Sequence, residues 1–297
     1  MTSTGSGLAV PDWPLSYGTL FPPMVGGVFY EHGHRMVATI VGFLTLCLAI
    51  WLGLKEKRRW VCRLGFFALA TVILQGLLGG VTVLFYLPTA VSVTHGIIAQ
   101  TFFILTIIIA YSLSLERQTR QLQTPPSVDQ KLCQWALTAT ILIFIQLILG
   151  AIMRHTHSGL AIPDFPTMGG AWTIVITGQI LHTINSWRFD HNLDPVTNLQ
   201  VFFHLIHRLW AVIILITIGI LNFYGLKYFQ DSNKIGKTLI MLDCIIFLQI
   251  NLGILTILTK KSPVITSLHV VTGAITLGTA VLLCLRSLPT RISEFGK

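Results

Sequence analysis

The chain has 297 residues, of which 53% are hydrophobic and only 10% charged, and its mean hydropathy is +0.74. A soluble domain carries roughly 25% charged residues, so 20 Lys and Arg with 11 Asp and Glu are too few to build a solvated surface of this size. That excludes a soluble enzyme, a disordered chain and a nucleic-acid binder, and the formal net charge of +9 reads instead as Lys and Arg gathered in cytoplasmic loops.

The opening MTSTGSGLAVPDWP has a Gly-, Pro- and Ser-rich loop composition, without the basic and apolar regions of a secretion signal. Seven apolar runs follow, at about 34–53, 64–85, 92–115, 133–153, 202–224, 238–258 and 265–285, each near the 20 residues or so that cross a bilayer as a helix. They lack the alternation of a barrel strand, and in lipid each segment must satisfy its own backbone. The expected fold is therefore an all-α integral membrane bundle.

Lys and Arg in short loops orient such a bundle. Lys55, Lys57, Arg58, Arg59 and Arg63 follow the first span, Arg117, Arg120 and Lys131 the third, and Lys227, Lys234 and Lys237 the fifth; Arg286, Arg291 and Lys297 form the tail. These fourteen fall on one side, assigned to the cytoplasm together with the C-terminus. The N-terminal stretch and the 154–201 loop are then outside, with Lys260 and Lys261 as the exception to the rule. Cys47, Cys62, Cys133, Cys244 and Cys284 form no CxxC or CxxCH pattern. Neither thiolate zinc nor covalently attached haem is indicated, and the cysteines read as small packing residues.

The chain repeats itself. SGLAVPDWP at 6–14 returns as SGLAIPDFP at 158–166, EHGHR at 31–35 as HLIHR at 204–208, and the Gln75-to-His95 segment as Gln249 to His269. The offsets are 152, 173 and 174, so 21 extra residues lie in the outer loop of the second copy. Both copies have the same sense across the membrane, the arrangement of a parallel repeat. An N-terminal half (1–115), a cytoplasmic linker (116–132) and a C-terminal half (133–297) follow. Span four precedes the second motif, and its counterpart would precede Met1. The chain as written is thus expected to be one helix short of a symmetric pair of four-helix halves, as if the start were placed about 25 residues, one span, too late.

The repeat singles out four of the ten histidines: His34, His95, His207 and His269, each at the outer end of a span. One such histidine is ordinarily a packing or interface residue. Four at matching places in otherwise apolar spans point to function, because ionisable groups in lipid are costly. Two imidazoles on facing helices make a site for haem iron, and each half supplies a pair, His34 with His95 and His207 with His269. Arg35 and Arg208 follow the first histidine of each pair. Each is a candidate for a haem propionate through a charge-assisted bond, or simply reaches the outer headgroups. Zinc is a weaker reading: HGH and HTH place imidazoles close together, but no nearby cysteine or carboxylate set completes a tetrahedral site.

The halves differ at one carboxylate. Glu31 lies three residues before His34, on the same helical face, and His204 takes its place before His207. Glu31 is the candidate acid/base, or a charge that steers a cation-like intermediate; the alternative is a solvated carboxylate at the membrane edge. Gln75 and Gln249 recur in mid-span as candidates for interhelical hydrogen bonds or contacts to a macrocycle. Asp243 reads as interfacial near the inner end of span six. All four histidines are at the outer depth, so two haems there would lie side by side and would not carry electrons across the membrane.

These motifs together resemble the haem A synthase family: TGSGLAVPDWP at 4–14, ExxHR at Glu31–Arg35, QGLLGGVTV at 75–83, LP before the His95 helix, HLIHR at 204–208, and QINLGILTI with His269. The resemblance covers the whole chain apart from the absent first helix. It implies eight helices in two halves, a b-type haem cofactor on His207 and His269, and the substrate haem O on His34 and His95 beside the functional acid Glu31. The implied reaction oxidises the C8 methyl of haem O to a formyl through two hydroxylations and loss of water, with electrons relayed by the cofactor haem. The implied partners are haem O synthase, an electron donor and membrane lipid; a homo-oligomer is compatible, and nucleic acid is not a partner. The implied location is the cell membrane, with the haem sites near the outer face. Some relatives carry a cysteine pair in the outer loops, which this chain lacks. Two other readings remain at this level: a dihaem electron-transfer protein with two permanently bound haems, and a transporter, for which Gly79–Gly80 against Gly253 is the only hint of broken helices.

Overall fold

The computed structural model describes residues 6–122, 128–229 and 234–288, without the side chains of 120–122. Thr4 and Gly5 of the first motif, part of the 116–132 linker, the Arg120 side chain, Arg291 and Lys297 lie outside the described residues. Among the described residues the chain forms nine α-helices and no strand: α1 (Gly26–Lys55), α2 (Arg59–Leu84), α3 (Thr89–Leu113), α4 (Leu115–Leu122), α5 (Gln130–His155), α6 (Gly178–Asp190), α7 (Asn198–Gly225), α8 (Lys234–Leu258) and α9 (Pro263–Ser287). Seven of these, all but α4 and α6, are long and apolar enough to cross a membrane. The protein is a multi-pass helical membrane protein. Its large exposed side chains, such as Phe43, Phe223 and Phe247, belong to lipid rather than water. Hydroxyls inside the spans are spent on the preceding turn, as when Thr45 donates to the Val41 carbonyl at 2.7 Å and Thr217 to Ile213 at 2.9 Å.

Two boundaries differ from the expected spans. α1 starts at Gly26, eight residues before position 34, so Glu31 and His32 share the helix with His34. The Pro22–Pro23 pair just upstream cannot continue a helix, whereas Val28, Phe29 and Tyr30 can. The extra residues of the second copy, between α5 and α7, hold α6, which hydropathy did not single out because its mean apolarity is low. Thr177 caps it by accepting from the Ile180 N–H, and it buries Ile184 against Ile162, Met168 and Val201.

The chain divides into two compact units. The first comprises α1–α4, the start of α5 and the end of α9. In it the C-terminal ends of α1 and α3 and the N-terminal end of α2 close around Leu52, Val61, Ala68, Leu105 and Ile109. The Glu56 carboxylate accepts from Arg58 N–H, Nε and Nη2 at 2.9, 2.9 and 2.7 Å, and Arg58 Nη1 donates to the Ser112 carbonyl. Hydrogen bonding from Arg58 holds the Glu56 carboxyl down at about 2. Glu116 and Arg286 form a two-pronged pair, both contacts 2.8 Å.

The second unit comprises the rest of α5, α6–α8 and most of α9. Its α7 opens with a capping box between Thr197 and Gln200. Asn222 donates to the Asp243 carboxylate at 2.9 Å, so that acid has a protein partner.

The turns α2–α3 and α8–α9 are built alike in their own units. Tyr86 and Leu87 in one, Lys260 and Lys261 in the other, have φ between 51° and 65°. Leu87 N–H returns to the Thr82 carbonyl and Lys261 N–H to that of Thr256, both at 2.7 Å. This satisfies carbonyls that the helix end leaves open. Left-handed backbone at non-glycine residues is tolerated because those bonds and the following prolines, Pro88 and Pro263, enforce the stop.

Candidate functional site

In each unit the site begins with a loop and ends on a histidine. The 6–25 loop closes on Asp12, whose carboxylate accepts the N–H groups of Tyr17 at 2.8 Å and Gly18 at 2.9 Å. Ser16 and Thr19 pair across the turn, with positive φ at Tyr17 and Gly18 between them, the requirement of a type I′ hairpin. The 158–177 loop repeats this with Asp164 on the N–H groups of Gly169 and Gly170, both 2.9 Å, and on the Thr167 hydroxyl. The amides of Gly18 and Tyr17 hold the Asp12 carboxyl below its ordinary value. At Asp164 burial pushes upward, but Thr167 and the two glycine amides outweigh it and the net shift is down. Trp13–Pro14 and Phe165–Pro166 are both cis.

Glu31 and the arginines grip these loops. Fully buried, Glu31 accepts the Val10 N–H at 3.0 Å and pairs with Arg35 at 2.8 Å. The Arg35 guanidinium also donates to the carbonyls of Asp12 and Leu15, each at 2.8 Å. In the second unit His204 Nδ1 accepts the N–H of Ile162, the residue matching Val10, at 3.1 Å. Arg208 donates to the carbonyls of Asp164, Thr167 and Ile162 at 2.7, 3.1 and 3.2 Å. Neither guanidinium is simply extended to lipid. Arg208 Nε remains buried without a partner among the described residues. His32 Nδ1 meets Ser16 Oγ at 2.8 Å, where the second unit has Leu205 and Met168.

Three of the four paired histidines, His95, His207 and His269, rest in seats made by neighbouring helices. On three helices a Gln is followed four residues later by a Gly: Gln75–Gly79 on α2, Gln146–Gly150 on α5 and Gln249–Gly253 on α8. Four residues is one helical turn, so each pair shares a face. A Cβ on Gly79 would lie 3.4 Å from His95 Cε1, one on Gly150 3.3 Å from His207 Cε1, and one on Gly253 3.1 Å from His269 Cε1. The absent side chain is the space the imidazole uses. Gln75 Nε2 lies 3.2 Å from His95 Nε2. Gln146 Nε2 donates to the His207 carbonyl at 3.0 Å and sits 3.3 Å from its Nε2. His269 Nδ1 donates to the Gln249 carbonyl at 3.2 Å, which leaves the lone pair on Nε2. Gln75 and Gln249 recur in the sequence, whereas Gln146 lies outside the repeated motifs, and only the shared four-residue spacing to a glycine marks it. His34 is exposed on α1 and its ring makes no hydrogen bond among the described residues.

His207 on α7 and His269 on α9 both stand in the second unit, on the seats that α5 and α8 provide. Each keeps one ring nitrogen free of a protein partner among the described residues, Nδ1 of His207 and Nε2 of His269. Two imidazoles over glycine seats in an apolar bundle suit an iron macrocycle, which takes nitrogen donors. Among the described residues no group of three or more His, Cys, Asp or Glu gathers as a tetrahedral zinc site requires. The described cysteines are all free.

Fold and site define a class: a multi-pass helical membrane protein with repeated imidazole seats inside its bundle and a hairpin loop clamped over each unit. Residues 25–281 match the COX15-CtaA family, described as cytochrome oxidase assembly protein. The chain belongs to that family. Among similar proteins, the heme A synthase of Lysinibacillus sphaericus is 27% identical over 276 residues, covering 91% of this chain and 82% of that protein. The heme A synthase of Staphylococcus carnosus is 27% identical, covering 91% and 81%. That of Shouchella clausii is 32% identical over 61% of this chain and 63% of its own length.

Proposed function

We propose that the protein is a haem A synthase, an oxidoreductase that converts the C8 methyl of haem O to the formyl group of haem A. The observation that carries this reading is the pair His207 and His269 on glycine seats, each with an uncommitted ring nitrogen. Family membership and the heme A synthases among its relatives support it.

In this reading His207 and His269 hold a haem b cofactor, which supplies one-electron redox chemistry when bound. His34 and His95 receive the substrate. His95 is oriented by Gln75, and His34 stands exposed one turn from Glu31, able to meet an exchangeable ligand. Glu31 acts by electrostatics rather than as a mobile acid. Both its oxygens are engaged by Val10 and Arg35, so it offers a fixed carboxylate near developing positive charge. Arg35 and Arg208 hold the loops that shield the histidine ends from water. A propionate contact is open to Arg208 only through Nε. The loops face the outer side, the C-terminus is cytoplasmic, and each half carries one haem site. An electron donor and haem O synthase are the partners this chemistry requires.

The test is extraction and chromatography of haems from cells that make haem O, with and without this protein. A new haem A peak is the expected result. Two tightly retained haems and no haem A would point to an electron-transfer protein instead.

A further inference from the structure

One cation of the second unit has no role in the arrangement above. Arg154 closes α5, four residues after Gly150 and eight after Gln146. These three positions form one stripe on the helix, and its first two members touch His207. Arg154 therefore stands one turn beyond the imidazole seat, about 6 Å along the axis, on the same face. Its guanidinium is half-buried and makes no hydrogen bond or ion pair among the described residues.

The unit's other two guanidinium groups are held by loop carbonyls, with only Arg208 Nε left over. Arg188 donates to the carbonyls of Asp194 at 2.6 Å and Leu160 at 2.8 Å, and Arg208 spends both terminal nitrogens on loop carbonyls. A cation withdrawn from water without an anion is unfavourable, and a planar fork of donors matches a carboxylate. The helix C-terminus favours a positive charge there, but that accounts for the charge and not for the face it occupies.

We propose that Arg154 binds a carboxylate on the edge of the macrocycle held by His207 and His269, and is the anion anchor of that site. This rests on the haem reading of the histidine pair. The same guanidinium chemistry would also take a lipid phosphate, so the test separates the two sources.

The full chain, purified in detergent, is titrated with haem b and with haem b dimethyl ester, whose edge carboxylates are masked. Wild type, Arg154→Ala, Arg154→Lys and His207→Ala are compared by the absorbance of the bound haem. Arg154→Ala should weaken haem b about tenfold or more and leave the ester within about twofold of wild type, which also reports a folded site. Arg154→Lys should fall between, because an ammonium keeps the charge and loses the fork. Unchanged haem b affinity in Arg154→Ala, with His207→Ala losing the haem, overturns the anchor alone. Equal losses for acid and ester, as a lipid or packing role predicts, also overturn it. If His207→Ala binds haem b like wild type, the histidine reading fails and the anchor fails with it.

Discussion

Glu31 and His204 occupy matching positions and do the same mechanical work, accepting the N–H of Val10 and of Ile162. They differ in that Glu31 also pairs with Arg35. Glu31→His should therefore keep the Val10 amide protected in hydrogen exchange and keep the cofactor haem, while haem A yield falls at least about tenfold, a modest figure for loss of a preorganised charge. A normal yield on chromatography would remove Glu31 from the chemistry. The glycine seats give a second expectation. A Cβ at Gly253 would be 3.1 Å from His269, so Gly253→Ala should cost about 1–3 kcal/mol by overpacking and shift the electron paramagnetic resonance of the bound haem without abolishing binding. An identical spectrum would mean that the ring is positioned by other contacts. Gly80 belongs to the same logic: a Cβ there would meet the Trp13 ring at 2.6 Å, and at the matching positions the second copy has the smaller Phe165 and the larger Ile254.

The two hairpins are held by carboxylates, and this makes them sensitive to acid. The Asp164 carboxyl is held below its ordinary 3.8. The stability it contributes is complete above about that value and is lost as pH falls through the lower folded value. Protection of the Gly169 and Gly170 amides should therefore fall off only below about pH 4, and Asp164→Asn should remove that dependence. Loss of protection already at neutral pH would show that another group controls the loop. At the start of α7, Thr197→Ala removes a capping box and should lower stability by about 1 kcal/mol, read as an earlier thermal transition. α6 was missed in the sequence because a short helix lying on a loop is stabilised by a few contacts, here Ile184 on Met168 and Val201, rather than by a long apolar run.

For the protein in its bilayer, ligand binding and stability are linked. Haem b at about 100 times its Kd should add about 2.7 kcal/mol and raise the melting temperature by about 5–10 °C. His207→Ala and His269→Ala should abolish the shift. A shift that survives both substitutions would locate the haem elsewhere. The repeat gives each unit its own hairpin, clamp and Gln–Gly seats, so the local geometry of one half is a control for the other. Where they diverge, at Glu31 with His204, His32 with Leu205 and Ser16 with Met168, the first unit has the more polar side chain clamp, as expected of the half proposed to take the substrate.

Seven spans, the internal repeat and the four histidines could be read from the chain because they depend on local quantities: the transfer cost of about 20 consecutive side chains and the identity of residues at a fixed offset. The Gln–Gly spacing is equally local, but its α5 copy lies outside the repeated motifs, so the repeat does not point to it. The partners of Glu31, His204 and Gln146 were not readable in this way. Their bonds join residues 21, 42 and 61 apart, and which donor meets which acceptor at that separation depends on how close two segments pack. Arg35 and Arg208 illustrate the difference. Their charge and their place beside a histidine are written in the sequence, but their engagement with loop carbonyls exists only once the hairpin has folded back over the helix end, where a buried guanidinium must find acceptors.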